Sequence, residues 1–364
     1  MKHIVIVLLF FALVTSPFRD FPSYLSLIAM FLAGLTGFFS SREKVSINRK
    51  SLFLFIIWIP SILSLTIFVA NATDSDPSKV ILNIVTIAIT IFAMIGILRI
   101  LTTQDIASCL AYVLCSVGII VISSASFLDW QQDFFGGTPK TNLGGWAVMT
   151  VFLFQALRSN DSQRPAYIVV LLALVTGARS AMVAGLVSLF LSSRNGVRFS
   201  VLVLTGLLVM NIDYFAYILR IDEAVQAFHK SSFDHFLNRA TSGRWSQYLH
   251  AFEAIPSLPF FGIGFDYSIN QGFLMHNLFA RLWLEGGFLY AFIFYVVPII
   301  TFYLWSKSDV RYRKILFSGI LLSLVEPNFL IGTWSYSISF WIAFAILAQE
   351  KKNENRLYKP AIKK

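Results

Sequence analysis

The chain is a succession of apolar segments, most of them about as long as a membrane-spanning helix, joined by short polar connections. Only 13% of its residues are charged and its mean hydropathy is +0.71, whereas soluble domains carry about 25% charged residues. We therefore predict an all-α, polytopic membrane protein of about 12 transmembrane helices, forming one integral membrane domain over residues 1–364. The predicted spans lie near residues 3–17, 22–40, 51–70, 80–98, 106–127, 143–157, 166–177, 180–193, 199–213, 276–304, 315–330 and 333–348.

The first apolar segment resembles a signal peptide, because Lys2 precedes an apolar run over residues 4–14. It lacks a small-x-small cleavage site, and a second apolar run follows at once, so we expect it to stay as the first helix. The two cysteines, Cys109 and Cys115, lie six residues apart within one apolar segment. This spacing indicates buried packing rather than a disulfide or a metal site.

The basic residues predict the orientation of the chain in the membrane. Of the 29 lysines and arginines, 20 fall at the N-terminus, on alternate connections or in the C-terminal tail. The positive-inside rule then places both termini in the cytoplasm. The net charge of +10 is mostly this orientation signal, and no aromatic-basic recognition module accompanies it, so we expect no nucleic-acid partner.

Nine basic residues remain on the predicted outer side, where orientation does not require them: Arg19, Lys79, Lys140, Arg179, Arg220, Lys230, Arg239, Arg244 and Arg281. Surface solvation or a nearby carboxylate explains a typical one. Arg179 is different, because it lies at the tip of a hairpin over residues 167–193 that is too short for two full spans. An arginine at that depth needs an anion, which a protein carboxylate, a lipid headgroup or a substrate phosphate can supply.

Two of the outer lysines leave alternatives open. Lys79 closes the turn over residues 71–79, where Asp74 and Asp76 are close enough to neutralise it. Lys140 lies in a turn-rich loop over residues 136–142, whose glycines and proline indicate close approach of the backbone to another group. Neither position alone decides between a structural and a binding role.

One long outer segment, over residues 213–275, interrupts the apolar succession. Its two halves carry apolar residues at helical spacing, which predicts two amphipathic helices at the membrane surface. Ser242 is a suitable N-cap for the second of these helices. Pro256, Pro259, Gly262 and Gly264 then predict turns that return the chain to the membrane.

His276 is the strongest candidate for chemistry in the sequence. Its ordinary pKa near 6.5 suits proton exchange at neutral pH, and it stands where the outer segment meets the apolar run over residues 278–305. A lone histidine is also compatible with a structural role. Arg281 and Glu285 are four residues apart, and an internal salt bridge is their simplest explanation. Glu326, at the outer end of the next span, receives no role from the sequence.

Four stretches, taken together, resemble the O-antigen ligase/polymerase superfamily of bacterial membrane glycosyltransferases. Residues 74–85 resemble the S-x-D-P-x-K/R turn and the helix after it, and residues 136–144 resemble a glycine-rich loop that ends K-N-x-x-G. Residues 174–186 resemble a T-G-S-R-G/S-A hairpin. Residues 242–287 cover an S-G-R-x-x-x-W helix, a P-x-x-G-x-G turn and an H-N/S/Q-x9-G signature. Ala178 and Tyr248 depart from the pattern, where serine and tryptophan are usual.

The resemblance implies a donor glycan carried on undecaprenyl pyrophosphate and an active site at the periplasmic face of the inner membrane. Lys79, Arg179 and Arg244 would then hold the pyrophosphate by charge-assisted hydrogen bonds, and His276 would deprotonate the attacking sugar hydroxyl. Lys140, Asn277 and Arg239 are further expected contacts to the pyrophosphate or the glycan. No D-x-D-like acidic cluster occurs on the outer side, so we expect a reaction without a metal or another cofactor. In-line attack by the sugar hydroxyl would invert the anomeric centre.

Several functions stay open within and beyond this resemblance. The loop over residues 136–144 looks more like that of the polymerases, which join one lipid-linked repeat unit to another, than that of the ligases, which use lipid A–core. A chain-length regulator is a possible protein partner of a polymerase. A protein O-oligosaccharyltransferase, and a transporter or flippase for a lipid-linked sugar, are further alternatives. Transporters usually carry ionisable groups at mid-membrane and paired interrupted helices, whereas here the cations lie on one face.

Overall fold

The computed structural model describes residues 1–18, 23–40, 50, 53–124, 140–158, 179–192, 244–254, 257–265, 275–307, 309–326 and 334–349. Within these ranges the chain forms eleven helices, two of which contain π-helical stretches, and one short 3-10 turn at Val310–Tyr312. The helices are α1 Lys2–Thr15, α2 Ser23–Ser40, α3 Phe53–Thr73, α4 Ser78–Ile97, α5 Thr103–Ser124, α6 Lys140–Leu157, α7 Arg179–Ser192, α8 Arg244–Ala254, α9 Leu278–Trp305, α10 Arg313–Val325 and α11 Trp334–Gln349.

Four helical stretches are long and apolar enough to cross a membrane, and they lie within α3, α4, α5 and α9: Phe53–Thr73, Ser78–Ile97, Thr103–Ile120 and Leu278–Trp305. Shorter apolar stretches lie in α1, α2, α6, α7 and α11. The described residues are thus helical, as predicted, and four helices long and apolar enough to cross a membrane indicate a multi-pass membrane protein. The predicted spans over residues 166–177 and 199–213 lie outside the described ranges, so the number of about 12 spans stays a prediction.

The core of the bundle is built around α11. Every described side chain from Ile338 to Ala348 is buried, and α11 packs against α4, α6, α9 and α10. Large apolar side chains are instead exposed on the outer helices, among them Val7, Ile56, Leu82, Ile119 and Phe39. Exposed apolar surface of this extent is typical of a face that contacts lipid or a partner.

Basic side chains tie helix ends together at one end of the bundle, here called the basic end. Lys50 Nζ donates to the Leu347 carbonyl oxygen at 3.0 Å and lies 5.0 Å from the centroid of the Trp305 ring. Arg99 donates to the Phe38 carbonyl oxygen at 3.3 Å. Leu347 and Phe38 lie near the last described residues of α11 and α2, and Trp305 is the last residue of α9. These parts of α2, α9 and α11 therefore share this end.

A backbone carbonyl of α9 that lacks a helical hydrogen-bond donor accepts a hydrogen bond from an indole of α3. The Val297 N–H donates to the Phe292 carbonyl, which is the hydrogen-bond spacing of a π-helix. With the same spacing, the N–H of the next residue, Pro298, would donate to the Ile293 carbonyl. Proline has no N–H, so the Ile293 carbonyl is left open. The Trp58 indole N–H donates to this oxygen at 3.1 Å. The bond satisfies a backbone group that water does not reach inside a membrane.

Helices α2 and α4 approach each other closely through glycines. A Cβ placed on Gly96 would lie 2.2 Å from the Gly34 carbonyl oxygen, and one placed on Gly37 would lie 2.1 Å from the Gly96 carbonyl oxygen. Small residues at such crossings let helix backbones come together and gain van der Waals contact. The rings of Phe38 and Phe92 stack beside them at 4.7 Å.

We predict that Gly96→Ala destabilises the bundle, because the added methyl group collides with the backbone of α2. Overpacking of this kind costs about 1–3 kcal/mol. The melting temperature of the purified protein in detergent, followed by scanning fluorimetry, should fall accordingly. Gly118→Ala is the matched control, since a Cβ at Gly118 meets nothing within 4 Å. Equal melting temperatures for the two variants would contradict the close contact.

Candidate functional site

The end of the bundle opposite the basic end brings His276 and Glu326 together. His276 Nδ1 lies 3.5 Å from Glu326 Oε2, and the two side chains are 24% and 6% exposed. His276 precedes α9, while Glu326 follows α10 directly and donates its backbone N–H to the Leu322 carbonyl at 2.8 Å. The sequence indicated a role for the histidine but none for the carboxylate. We call these two residues the His–Glu pair.

Asn277 begins α9 as its N-cap. Its side-chain oxygen accepts the Ala280 N–H at 3.0 Å, and its backbone carbonyl accepts the Arg281 N–H at 2.9 Å. Such a cap satisfies an amide that has no partner within the helix. The cap also fixes the backbone next to His276. The predicted contact between Asn277 and the glycan stays a prediction.

Arg281 and Glu285 form the predicted ion pair. Arg281 Nε donates to Glu285 Oε1 at 2.9 Å, and the Glu285 side chain is 4% exposed. A buried carboxylate needs a partner of this kind, because removing one member of a buried pair leaves an uncompensated charge. The ion pair that the sequence predicted thus accounts for Arg281.

Helix α8 confirms the second predicted helix of the outer segment, over Arg244–Ala254. Ala251 is buried against Met275, next to His276, in a small apolar cluster that joins α8 to α9. The Tyr248 hydroxyl donates to the Leu324 carbonyl oxygen at 2.8 Å. This bond ties α8 to the last turn of α10, two residues before the carboxylate of the His–Glu pair.

The predicted turn after α8 is present, and we call residues Pro259–Phe265 the glycine turn. Gly262 and Gly264 have φ angles of +72° and +108°, which glycine adopts without the steric cost that other residues meet. The N–H of Ile263 donates to the Leu284 carbonyl at 2.8 Å, and the N–H of Gly264 donates to the Glu285 carbonyl at 3.0 Å. The glycine turn is therefore bound to the backbone of α9.

A kink in α9 makes these carbonyls available. Gly287 has φ +83° and ψ 172°, which is not helical and interrupts α9 about two turns from its start. The space around this residue is filled by the glycine turn, because a Cβ on Gly287 would lie 2.1 Å from the Phe260 carbonyl oxygen. Glycine is thus required on both sides of the contact, at Gly262 and at Gly287.

The far end of the glycine turn binds the connection between α3 and α4. The Phe265 N–H donates to Ser75 Oγ at 3.1 Å, and Ser75 Oγ lies 2.9 Å from Thr73 Oγ1. Asp74, between them, has a left-handed backbone with φ +49°. The structure therefore joins the first and last of the four sequence stretches, residues 74–85 and 242–287. No motif in the sequence indicated that Ser75 would be the link.

Lys79 lies in the first turn of α4 and is exposed. Hydrogen bonds from the hydroxyl and the backbone N–H of Ser78, at 2.7 and 2.9 Å, lower the pKa of Asp76, and the charge of Lys79 lowers it further. This carboxylate is therefore ionised beside the lysine at neutral pH. The partner that the sequence suggested for Lys79 is present, and the pyrophosphate contact stays a prediction.

The remaining predicted cations lie at the edges of the described ranges or beyond them. Lys140, Arg179 and Arg244 are the first described residues of α6, α7 and α8. Their side chains lie outside the described part of the structure, as does the whole of Arg239. Helix α7 packs against α6 and α10. The second and third sequence stretches are thus connected to the helix that ends at Glu326.

Within the described ranges, no group of three or more His, Cys, Asp or Glu residues could hold a metal ion. Independence of a metal stays a prediction. A scan against known protein families found no match, and a search of curated proteins found no similar sequence.

We predict that Gly262→Ala detaches the glycine turn from α9. A Cβ at this position would lie 2.6 Å from three backbone atoms, namely Leu284 O, Glu285 O and Gly287 N, and the left-handed backbone adds about 1–2 kcal/mol for a non-glycine residue. Chymotrypsin should then cut after the exposed Phe260 faster than in the parent protein.

Ser75→Ala should loosen the same turn more weakly. It removes the acceptor of the Phe265 N–H, a loss of about 1 kcal/mol. Gly118→Ala again serves as control and should leave the cutting rate unchanged. Parent-like cutting of Gly262→Ala would show that the turn does not depend on this contact.

Proposed function

We propose that this protein is a glycosyltransferase of the bacterial inner membrane, and specifically a polysaccharide polymerase. It would transfer a glycan from undecaprenyl pyrophosphate to a sugar hydroxyl of a second lipid-linked repeat unit at the periplasmic face. The observation that carries the proposal is the His–Glu pair at one end of the bundle. A partly exposed imidazole beside a buried carboxylate, 3.5 Å away, is an arrangement suited to general-base chemistry.

The length of α9 supports a location of this pair on the far side of the membrane from the basic end. The helix has 28 residues between Leu278 and Trp305, which corresponds to at most about 42 Å because Gly287 interrupts it. This length matches a bilayer including its headgroup regions, about 40–45 Å. Lys50 contacts Trp305 at the basic end, and the positive-inside rule assigns that end to the cytoplasm. His276 would then face the periplasm.

The predicted cations favour an anionic substrate. Lys140, Arg179 and Arg244 belong to the basic residues on the predicted outer side, where orientation does not require them. Arginine and lysine side chains make strong charge-assisted hydrogen bonds to phosphate oxygens. A pyrophosphate is an anion of the required charge.

The packing of α7 on α10 supports a place for Arg179 near the His–Glu pair. Ser318 Oγ donates to Ser188 Oγ at 2.8 Å, which sets the register of the two helices. At 1.5 Å per residue, Arg179 lies about 13 Å along α7 from this bond, and Glu326 lies about 12 Å along α10. If the helices run antiparallel, as the predicted topology requires, the two residues are at the same depth.

The proposed reaction is an in-line displacement at the anomeric carbon of the donor. The imidazole of His276 takes the proton of the acceptor hydroxyl, and the acceptor oxygen forms the new bond to the anomeric carbon as the bond to the pyrophosphate oxygen breaks. Undecaprenyl pyrophosphate leaves with the electron pair. The cations stabilise the negative charge that develops on it, and the configuration of the anomeric carbon is inverted.

A ligase that uses lipid A–core as the acceptor is the second candidate. It would need the same base and the same cations, so the described site is compatible with both, and the choice rests on the resemblance of residues 136–144 to the polymerases. A transporter of lipid-linked sugar would have no use for a general base. Formation of a new glycosidic bond separates both enzymes from transport.

We predict that the purified protein in liposomes, supplied only with the lipid-linked repeat unit of its own organism, produces a ladder of longer chains on a gel. His276→Ala should lower the rate at least about 100-fold, since general-base catalysis contributes about 100- to 10,000-fold. Glu253→Gln, at an exposed residue of α8, is the control and should keep the parent rate. An unreacted band would remove the polymerase and make lipid A–core the next acceptor to add.

We also predict that the ladder forms in the presence of EDTA. Arginine and lysine side chains would supply the positive charge that many glycosyltransferases obtain from a divalent ion. The rate is measured after the protein has been dialysed against EDTA and again after Mg²⁺ or Mn²⁺ is added. A rate that depends on either ion would show that the cationic residues are insufficient.

A further inference from the structure

We infer that Glu326 is a positioning residue for His276: its carboxylate holds the proton on Nδ1 and thereby leaves Nε2 as the atom that accepts a proton. The assignment of the tautomer stands on the geometry alone. Its catalytic consequence rests on the function proposed above.

The buried atoms of the His–Glu pair face each other. The Nδ1 atom of His276 is buried and has no hydrogen-bond partner among the described residues, and its ion-pair contact is Glu326 Oε2 at 3.5 Å. This distance is slightly longer than an ordinary hydrogen bond. Hydrogen bonds of a catalytic base are often long without substrate and shorten in the complex. Glu326 in turn is buried, and a buried carboxylate is costly unless it is paired.

The chemistry of the two groups selects one tautomer. A neutral imidazole has one N–H donor and one acceptor nitrogen, whereas an ionised carboxylate only accepts. The nitrogen that faces Glu326 must therefore carry the proton, which leaves the lone pair on Nε2. Once Nε2 has taken a proton, the nearby carboxylate stabilises the imidazolium, as in the triads of other enzymes.

The backbone around the pair is built to hold this geometry. Asn277 caps α9 immediately after the histidine, and Met275, immediately before it, is fully buried. On the other side, the Tyr248 hydroxyl holds the Leu324 carbonyl at 2.8 Å, next to the end of α10. The pair is therefore positioned from three helices, α8, α9 and α10.

The other buried carboxylate nearby does not have this role. Glu285 lies on the same helix as Asn277, but its Oε1 accepts from Arg281 Nε at 2.9 Å. Glu285 therefore supplies a control: a buried carboxylate on α9 whose ion-pair partner is Arg281.

The test reads the tautomer directly by NMR of the full-length protein, labelled with ¹⁵N-histidine and held in nanodiscs at pH about 8.5, above the ordinary histidine pKa. His276→Gln identifies the resonances of His276. We expect a protonated Nδ1 and an unprotonated Nε2. Glu326→Ala should remove this preference, and Glu285→Gln should keep it. A protonated Nε2 in the parent protein would overturn the inference.

The second arm measures the rate of chain extension. Glu326→Gln keeps the size of the side chain but removes its charge, whereas Glu326→Asp keeps the charge. We expect kcat to fall about 100-fold in Glu326→Gln with KM nearly unchanged, and Glu326→Asp to recover part of the loss. Packing alone would favour the glutamine variant over the aspartate variant, so full activity of Glu326→Gln would overturn the catalytic consequence.

The two arms separate the inference from the function on which its consequence rests. The parent protein could make no ladder and still show the Nδ1–H tautomer that Glu326→Ala removes. This result would support the role of Glu326 in selecting the tautomer and contradict the proposed polymerase function. A parent protein that makes the ladder while Nε2 of His276 is protonated would support the polymerase function and contradict the role of Glu326.

Discussion

Backbone hydrogen bonding at the start of α9 is the constraint on which the arrangement of the site depends. The kink at Gly287 removes helical partners from the carbonyls of Leu284 and Glu285, and the amides of Ile263 and Gly264 replace them. Unpaired backbone groups are costly away from water. Backbone hydrogen bonds to α9 therefore hold the glycine turn in place. The turn follows α8 in the chain and contacts the connection between α3 and α4.

The same requirement explains the contact between α3 and α9 further along the bundle. Pro298 leaves the Ile293 carbonyl without its helical donor, and the Trp58 indole supplies one. Both breaks in α9 are thus satisfied from outside the helix, one by backbone amides at the site end and one by a side chain within the apolar region. An irregular helix of this kind has a fixed shape, because each irregularity is matched to a specific neighbour.

The sequence predicted the features that are local. Apolar length located the helices, the Arg281–Glu285 spacing indicated their ion pair, and Pro259, Gly262 and Gly264 indicated the turn. It did not reveal contacts between residues far apart in the chain, such as Glu326 with His276 and Ser75 with Phe265. Such contacts depend on which helices are neighbours, which no periodicity encodes. A signal for Glu326 was nevertheless present, since a carboxylate at the end of an apolar span needs a partner.

Tyr248 shows how a departure from the expected pattern can keep its physical role. The resemblance leads one to expect tryptophan at this position, whose indole N–H can only donate a hydrogen bond. The tyrosine hydroxyl also donates, and it does so to the Leu324 carbonyl, in the last turn of α10, where helical donors are absent. Tyr248 therefore offers a hydrogen-bond donor on a flat aromatic side chain, as the expected tryptophan would. Through this bond, Tyr248 ties α8, with Arg244 as its first described residue, to the helix end that presents Glu326 to His276.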